Sequence, residues 1–258
     1  MAVRFSTDAV REGLTTDFVG RDLEYRAAVG STQDMARELA NEGADEGTVV
    51  VAGSQTAGRG RLDRSWISPR GGLYLTILLR PAAEHLNALV IIAALAVARA
   101  IEGVAGLQTS LKWPNDVLVA GRKVAGILSE SELVGEEVGY ALVGIGVNVN
   151  VDMAAYPVTA PLATSIMTEL GREVSRETLA AAILNEFEPL YLAVEEGKPI
   201  HQEWRARLGT LGKEVRVSFG QQVEEGLAED VDSDGSLILR RPDGTRLTIA
   251  AGDVTFQR

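Results

Sequence analysis

Between Gln55 and Arg70 the chain sets four arginines, Arg59, Arg61, Arg64 and Arg70, against a single acid, Asp63. Within that stretch Gly58-Arg59-Gly60-Arg61 is followed by Arg64 and Trp66. Glycines admit a ligand close to the backbone. Guanidinium forks hold carboxylates and phosphates through paired hydrogen bonds, and an indole offers a flat face to a base. The set suits a loop that closes over a nucleotide; it would equally suit a solvated basic loop. It is not a P-loop, because neither Gly197-Lys198-Pro199 nor Gly212-Lys213-Glu214 ends in the required Ser or Thr. No Gly-x-Gly-x-x-Gly follows a strand and opens a helix.

Three further stretches could carry chemistry. In Lys112-Trp113-Pro114-Asn115-Asp116 the proline forces a bend that gathers a cation, an amide and a carboxylate. This suits a triphosphate with its magnesium, or a turn whose Asn and Asp satisfy their own backbone. Lys123-Val124-Ala125-Gly126-Ile127-Leu128 reads as a strand with Lys123 and Ala125 on one face and Val124 and Gly126 on the other. Lys123 is then either an edge charge that blocks aggregation or a cation that steadies a developing oxyanion. In Gly144-Ile145-Gly146-Val147-Asn148 two glycines interrupt an apolar strand. That pattern marks a bulge or the close approach of another group.

The elements that must position these residues follow from periodicity and breakers. Strands are expected at 23–29, 48–52, 73–79, 109–113, 116–120, 123–132 and 138–149, with a long loop over 53–72. Ser31, with Asp34 in the first turn, opens a helix that runs to Glu42. A helix over 84–102 is apolar almost all round and should be buried. Further helices are expected at 164–170, 176–196 and 199–208. Residues 1–20 show no strong period and are expected to be loosely ordered. From Leu211 short β segments at 214–219, 226–232, 236–240 and 245–250 alternate with turn signals such as Asp234-Gly235, which reads as a small barrel. The expected fold is α+β, with domains at 1–210 and 211–258.

Composition narrows the chemistry. The 258 residues are 46% apolar and 24% charged, ordinary for a globular chain. With no Cys, disulfides, thiolate metal sites and Cys nucleophiles are excluded. The two histidines, His85 and His201, cannot supply a three-His metal site. A net charge of −11 lacks the basic footprint of a nucleic-acid binder, so the local cationic loop points to a small anion. No signal peptide is expected in the first thirty residues, and the longest apolar run, Ala88 to Ala98, is short for a bilayer span. No DNA partner, no membrane partner and a cytoplasmic location are expected.

In order and spacing, Ser31-Thr32-Gln33, Gln55-x-x-Gly58-Arg59-Gly60-Arg61-x-x-Arg64-x-Trp66, Lys112-Trp113-Pro114-Asn115-Asp116, Lys123-x-x-Gly126-Ile127-Leu128-x-Glu130 and Gly144-Ile145-Gly146-x-Asn148 resemble the biotin protein ligase family, over residues 24–150. Gly226-x-Ala228-x-Asp230-Val231-Asp232 looks like that family's SH3-like C-terminal domain. The resemblance implies a mixed-sheet catalytic domain related to the class II aminoacyl-tRNA synthetase core. It implies activation of biotin by ATP to biotinyl-5′-adenylate with release of pyrophosphate, then transfer to a lysine of a biotin carboxyl carrier protein domain.

By the same resemblance, Ser31, Thr32, Gln33 and Gln55 line the biotin head group, and Arg59, Gly60 and Arg61 belong to a loop over biotin and the adenylate. Arg64 and Trp66 lie on the nucleotide, Trp66 against adenine. Lys123 meets the biotin carboxylate and the α-phosphate. Lys112, Asn115, Asp116 and Asn148 serve the nucleotide, with Asp116 and Asn148 toward Mg²⁺. Lys123, Arg61, Lys112 and Asp116 are the expected catalytic groups. A lipoate or octanoate ligase of related fold and a non-catalytic biotin-binding regulator are the alternatives; a monomer and a homodimer are both compatible with the sequence.

Two departures stand out. The family loop often reads Gly-Arg-Gly-Arg-Arg-Gly-Arg, whereas Leu62 and Asp63 occupy its fifth and sixth places here. This implies a stiffer loop with a different hold on the adenylate. The signature begins near residue 31, so an N-terminal DNA-binding domain and repressor activity are not expected.

Overall fold

The computed structural model describes residues 5–135 and 137–256. Its main sheet has seven strands: β1 (Leu23–Arg26), β2 (Val49–Ala52), β3 (Leu73–Leu79), β4 (Thr109–Lys112), β5 (Asp116–Val119), β6 (Arg122–Val134) and β7 (Glu137–Val147). They lie in the order β1-β2-β3-β7-β6-β5-β4, with β1 parallel to β2 and the remaining neighbours antiparallel. The helices are α1 (Thr7–Glu12), α2 (Thr32–Asn41), α3 (Ala88–Ala105), α4 (Ile166–Leu170), α5 (Arg176–Glu195) and α6 (His201–Arg207).

Both faces of the central strands are covered, which explains why β2 and β3 are buried along their whole length instead of alternating. On one face, Leu73, Leu75 and Ile77 of β3 with Val143, Ile145 and Val147 of β7 pack under α3 and α5. By length and hydropathy α3 could cross a membrane, yet two thirds of it is buried in this layer, so it is the core helix its composition suggested. It begins at Ala88; the expected first turn from Glu84 is a separate 3-10 turn. On the other face Ala36 and Ala40 of α2 pack on Val50, Leu78 and Leu142, covering only half of the sheet. The uncovered half carries the glycines.

Of the stretch expected to be loose, the described residues, 5–20, are well ordered. Ser6 caps α1 by accepting from the Ala9 N–H, and Phe5, Val10, Leu14 and Val19 enter the main core. The anchor is Glu188 of α5, only 4% exposed, whose carboxylate accepts from the N–H groups of Asp17, Phe18 and Val19 at 2.5, 2.9 and 2.8 Å. Such a contact over 170 residues of sequence leaves no trace in local periodicity.

The C-terminal unit is an antiparallel sheet of β8 (Glu214–Phe219), β9 (Gln222–Val231), β10 (Leu237–Arg240), β11 (Arg246–Ile249) and β12 (Asp253–Phe256), in the order β11-β10-β9-β8-β12. β12 was not expected: its four residues are too short to show a period, and only its pairing with β8 defines it. This unit is keyed to the main sheet by Trp113, 1% exposed, whose indole N–H donates to Gly235 O at 2.9 Å and whose backbone N–H donates to Thr210 Oγ1 at 2.9 Å. The Trp113–Pro114 peptide is cis.

Candidate active site

On the uncovered half of the sheet, cross-strand partners place Tyr74, Gly146, Gly126 and Asp116 in one row and Thr76, Gly144 and Leu128 in the next. The absent side chains leave a trough in the sheet surface. Much of it is filled by the protein itself. A Cβ on Gly146 would fall 2.6 Å from Trp66 Nε1, one on Gly126 2.9 Å from Trp66 Cζ3, and one on Gly144 3.1 Å from the Gln33 amide. The glycines therefore make room for Trp66 and Gln33, which together form the floor of a cleft of about 130 Å³.

Lys123 reaches this cleft because β6 is bulged. Val117 pairs with Ala125 but Leu118 pairs with Lys123, so Val124 is an extra residue. Strict alternation had put Lys123 on the face away from Gly126. The bulge turns it onto the same face, where its Nζ would lie 3.1 Å from a Cβ on Gly126. There it stands 2.5 Å from Asp116 Oδ1 and 5.0 Å above the Trp66 ring.

The biotin-side residues of the sequence reading converge at one end. Ser31, 2% exposed, caps α2 by accepting from the Gln33 N–H at 3.2 Å. Gln55 Oε1 accepts from the Thr32 N–H at 2.8 Å and the Thr32 hydroxyl at 3.1 Å, and its Nε2 donates to Ser68 Oγ at 2.8 Å. Gln55 thus fixes the start of α2 against the loop. Gln33 donates Nε2 to Leu128 O at 3.2 Å and leaves Oε1 buried without a donor. Arg59 lines the cleft but forks onto Glu130 at 3.1 and 2.9 Å, and Asp34 and Arg37 join the cluster.

At the other end, the Arg61 guanidinium donates to two neutral oxygens, Asn115 Oδ1 at 3.3 Å and Gly252 O at 3.2 Å. Burial lowers its pKa and Arg64 adds to the fall, against the attraction of Asp116. A guanidinium stays protonated even so; the shift marks a cation short of counter-charge. Asn115 is held by its own Nδ2 on Ile127 O at 2.6 Å. Arg64 pairs with Asp253 of β12. Lys112 lies beside the cleft, cross-strand from Asp116, with burial and then Lys123 and Arg64 lowering its pKa while Asp116 opposes.

Asn148 is a correction. It does not line the cleft; it is 4% exposed and its Nδ2 donates to Thr164 O at 3.0 Å, tying β7 to the approach of α4. An Asn in an apolar strand needs such a partner wherever it is buried, so its type alone did not tell a fold role from a ligand role. Asp253 is the opposite case: it lines the cleft from an element that left no sequence signal. Gly60 lines it too, in the hairpin that Leu62 and Asp63 turn. Both of these have positive φ, 54° and 57°, and the Arg64 N–H returns to Arg61 O at 3.2 Å.

Among the described residues, five buried side-chain polar atoms lack a hydrogen-bond partner, and four belong to cleft residues: Gln33 Oε1, Arg59 Nε, Trp66 Nε1 and Asp116 Oδ1. The last is nonetheless paired in charge with Lys123, at angles outside those of a hydrogen bond. Buried orphans are rare in a folded protein. Their gathering in one cleft describes a ligand with both donors and acceptors.

Comparison with known proteins agrees. Residues 26–148 match the biotin/lipoate A/B protein ligase family and residues 210–256 the biotin protein ligase C-terminal domain. The chain is 36% identical over 254 residues to the bifunctional ligase/repressor BirA of Bacillus spizizenii, covering 96% of this chain and 78% of that protein. It is 36% identical to the biotin–[acetyl-CoA-carboxylase] ligase of Mycobacterium tuberculosis, covering 92% of this chain and 90% of that one. The biotin protein ligase of Aquifex aeolicus, solved in complex with biotin and ATP, superposes with a TM-score of 0.79 at 29% identity, over 92% of this chain and 99% of that one. On the strength of these matches, with its mixed sheet and C-terminal antiparallel sheet, the chain belongs to the biotin protein ligase family.

Proposed function

We infer that the chain is an ATP-dependent biotin protein ligase. The observation that carries this reading is the cleft itself: unpartnered polar atoms on Gln33, Trp66 and Asp116, and at the other end the desolvated guanidinium of Arg61, which meets only neutral acceptors. A carboxylate oxygen of biotin attacks the α-phosphorus of ATP, the bond to the bridging oxygen breaks, and pyrophosphate leaves. Two anions must meet, and their repulsion is offset by cations already in place. Lys123 and Arg61 flank that meeting point. Holding the reactants in line is the larger share, since good alignment alone can lower a barrier by roughly 7–11 kcal/mol.

The cleft carboxylates Asp116 and Asp253 are oxygen donors of the kind magnesium takes together with phosphates. Bound there, the metal would neutralise phosphate charge. In the second half-reaction the amine of a carrier lysine attacks the acyl carbon and AMP departs. The acceptor is a biotin carboxyl carrier domain.

The family matched over residues 26–148 includes lipoate ligases. The match at 210–256 is to a biotin ligase domain, and it favours biotin. The test is to follow pyrophosphate with ATP and each acid in turn, then to add a carrier domain. Release with biotin and labelling of the carrier support the reading. Release only with lipoate or octanoate would replace it, and binding of biotin without pyrophosphate would make the chain a sensor.

A further inference from the structure

Arg59 and Arg61 stand two residues apart on one hairpin, and their charges are handled in opposite ways. The hairpin is closed by a bridge between Arg59 and Ser65 and by two backbone bonds, Gly60 N–H to Arg64 O at 2.7 Å and Trp66 N–H to Gly58 O at 2.9 Å. Arg61 donates to two neutral oxygens. Arg59 has both terminal nitrogens on carboxylates, one on Glu130 Oε1 at 3.1 Å, the other on Glu130 Oε2 at 2.9 Å and Asp34 Oδ1 at 3.0 Å. Arg37 of α2 closes the cluster, 3.0 Å from Asp34 and 2.9 Å from Glu130. Two guanidiniums face two carboxylates, and the formal charges cancel.

What Arg59 keeps for a ligand is Nε, a buried N–H without a partner in a residue that lines the cleft. A guanidinium left free at that end would draw in the carboxylate of an entering acid. An acid seated that way round would turn its carboxylate away from Lys123 and Arg61, and the alignment on which the reaction depends would be lost. The cluster joins α2, the hairpin and β6, so it also fixes the Arg59 rotamer before a ligand arrives, and that ordering cost is not charged to binding.

We propose that Glu130 and Asp34 are positioning residues that neutralise and aim Arg59, so that it meets the ligand as a single N–H donor for an uncharged acceptor and the acid's carboxylate goes to Lys123 and Arg61. This deepens the ligase reading and rests on it for the identity of the acid. The cations of the nucleotide side are held elsewhere: Arg64 pairs with Asp253, and Lys112 stands cross-strand from Asp116.

The test is calorimetric binding to the full chain of three probes in turn: biotin, biotin amide (a neutral carboxamide in place of the acid) and a non-hydrolysable ATP analogue. Glu130→Gln should weaken the amide about three- to tenfold, the size of one hydrogen bond, and leave the ATP analogue within about twofold. Biotin should lose less than the amide, because the freed guanidinium now holds its carboxylate, while kcat for pyrophosphate release falls. Glu130→Asp keeps the charge, so acid and amide should fall equally and by less. Arg59→Gln should weaken both acid and amide, and adding Glu130→Gln to it should cost nothing more. Glu132→Gln, an exposed carboxylate on the same strand that bonds to Tyr140, should change none of the three. Unchanged amide binding in Glu130→Gln, an equal loss for acid and amide, a loss that extends to the nucleotide, or additive losses in the double variant would overturn the proposal. Wild-type protein that binds biotin and its amide but releases no pyrophosphate with ATP would overturn the ligase reading alone. Wild-type protein that binds neither would overturn both.

Discussion

The Lys123 ammonium lies 2.5 Å from the Asp116 carboxylate, across a pair of strands whose register a single extra residue, Val124, has shifted. The pair holds the ammonium between the Trp66 face and the cleft, and gives Asp116 a directly paired cation. Lys123→Ala should therefore lose transition-state stabilisation of about 2–4 kcal/mol in the first half-reaction, as for loss of one oxyanion donor. Pyrophosphate release at the wild-type rate would remove Lys123 from the chemistry.

Gly146→Ala tests the sheet floor. The new Cβ would meet Trp66 Nε1 at 2.6 Å, so the indole must move into the cleft. Overpacking of this kind costs about 1–3 kcal/mol. A small fall in melting temperature together with near-complete loss of adenylate formation is expected. Unchanged activity would mean that Trp66 can leave the floor freely.

Arg61→Ala separates ligand binding from folding. Arg61 is desolvated and has only neutral acceptors, so its removal should leave the melting temperature within a few degrees while the adenylate dissociates faster. A large fall in stability with no change in dissociation would contradict the assignment.

The turn at Leu62 and Asp63 has both residues at positive φ, the geometry of a tight hairpin turn that favours Asn-Gly. Asp63→Gly relieves a left-handed non-glycine residue, a strain of about 1–3 kcal/mol at most. It should favour the turned-back loop over other conformations. Measured adenylate dissociation in Asp63→Gly and in Leu62→Arg with Asp63→Gly should differ from wild type; equal rates in all three would show that the turn has no bearing on retention.

Much of this architecture is legible in the residues. The β-rich tail, the buried character of α3 and the cap at Ser31 follow from periodicity and turn chemistry, and the ordered motifs mark the loop, the strands and their cations. Three things are not legible, each for a physical reason. The face of Lys123 depends on a bulge, which alternation cannot foresee. The order of residues 5–20 depends on Glu188, far along the chain. The part of β12 in the cleft depends on how two sheets meet. The glycines of β6 and β7 were read as marking a close approach, and what approaches turns out to be Trp66 and Gln33.

Glu188→Ala tests the second of these. Three backbone N–H groups would lose their acceptor, a cost of about 1–3 kcal/mol for each donor left buried and unpaired. Lower thermal stability and early proteolysis before Leu23 are expected, with the KM for ATP and for biotin unchanged.

The most direct measurement is a crystal structure of the chain with biotin and ATP bound. The biotin rings are expected against Gln33 and the adenine against Trp66, with the carboxylate and α-phosphate between Lys123 and Arg61 and Lys112 directed to the phosphates. Ligands bound elsewhere, or Arg61, Lys112 and Lys123 turned to unrelated surfaces with the ligands present, would contradict this arrangement.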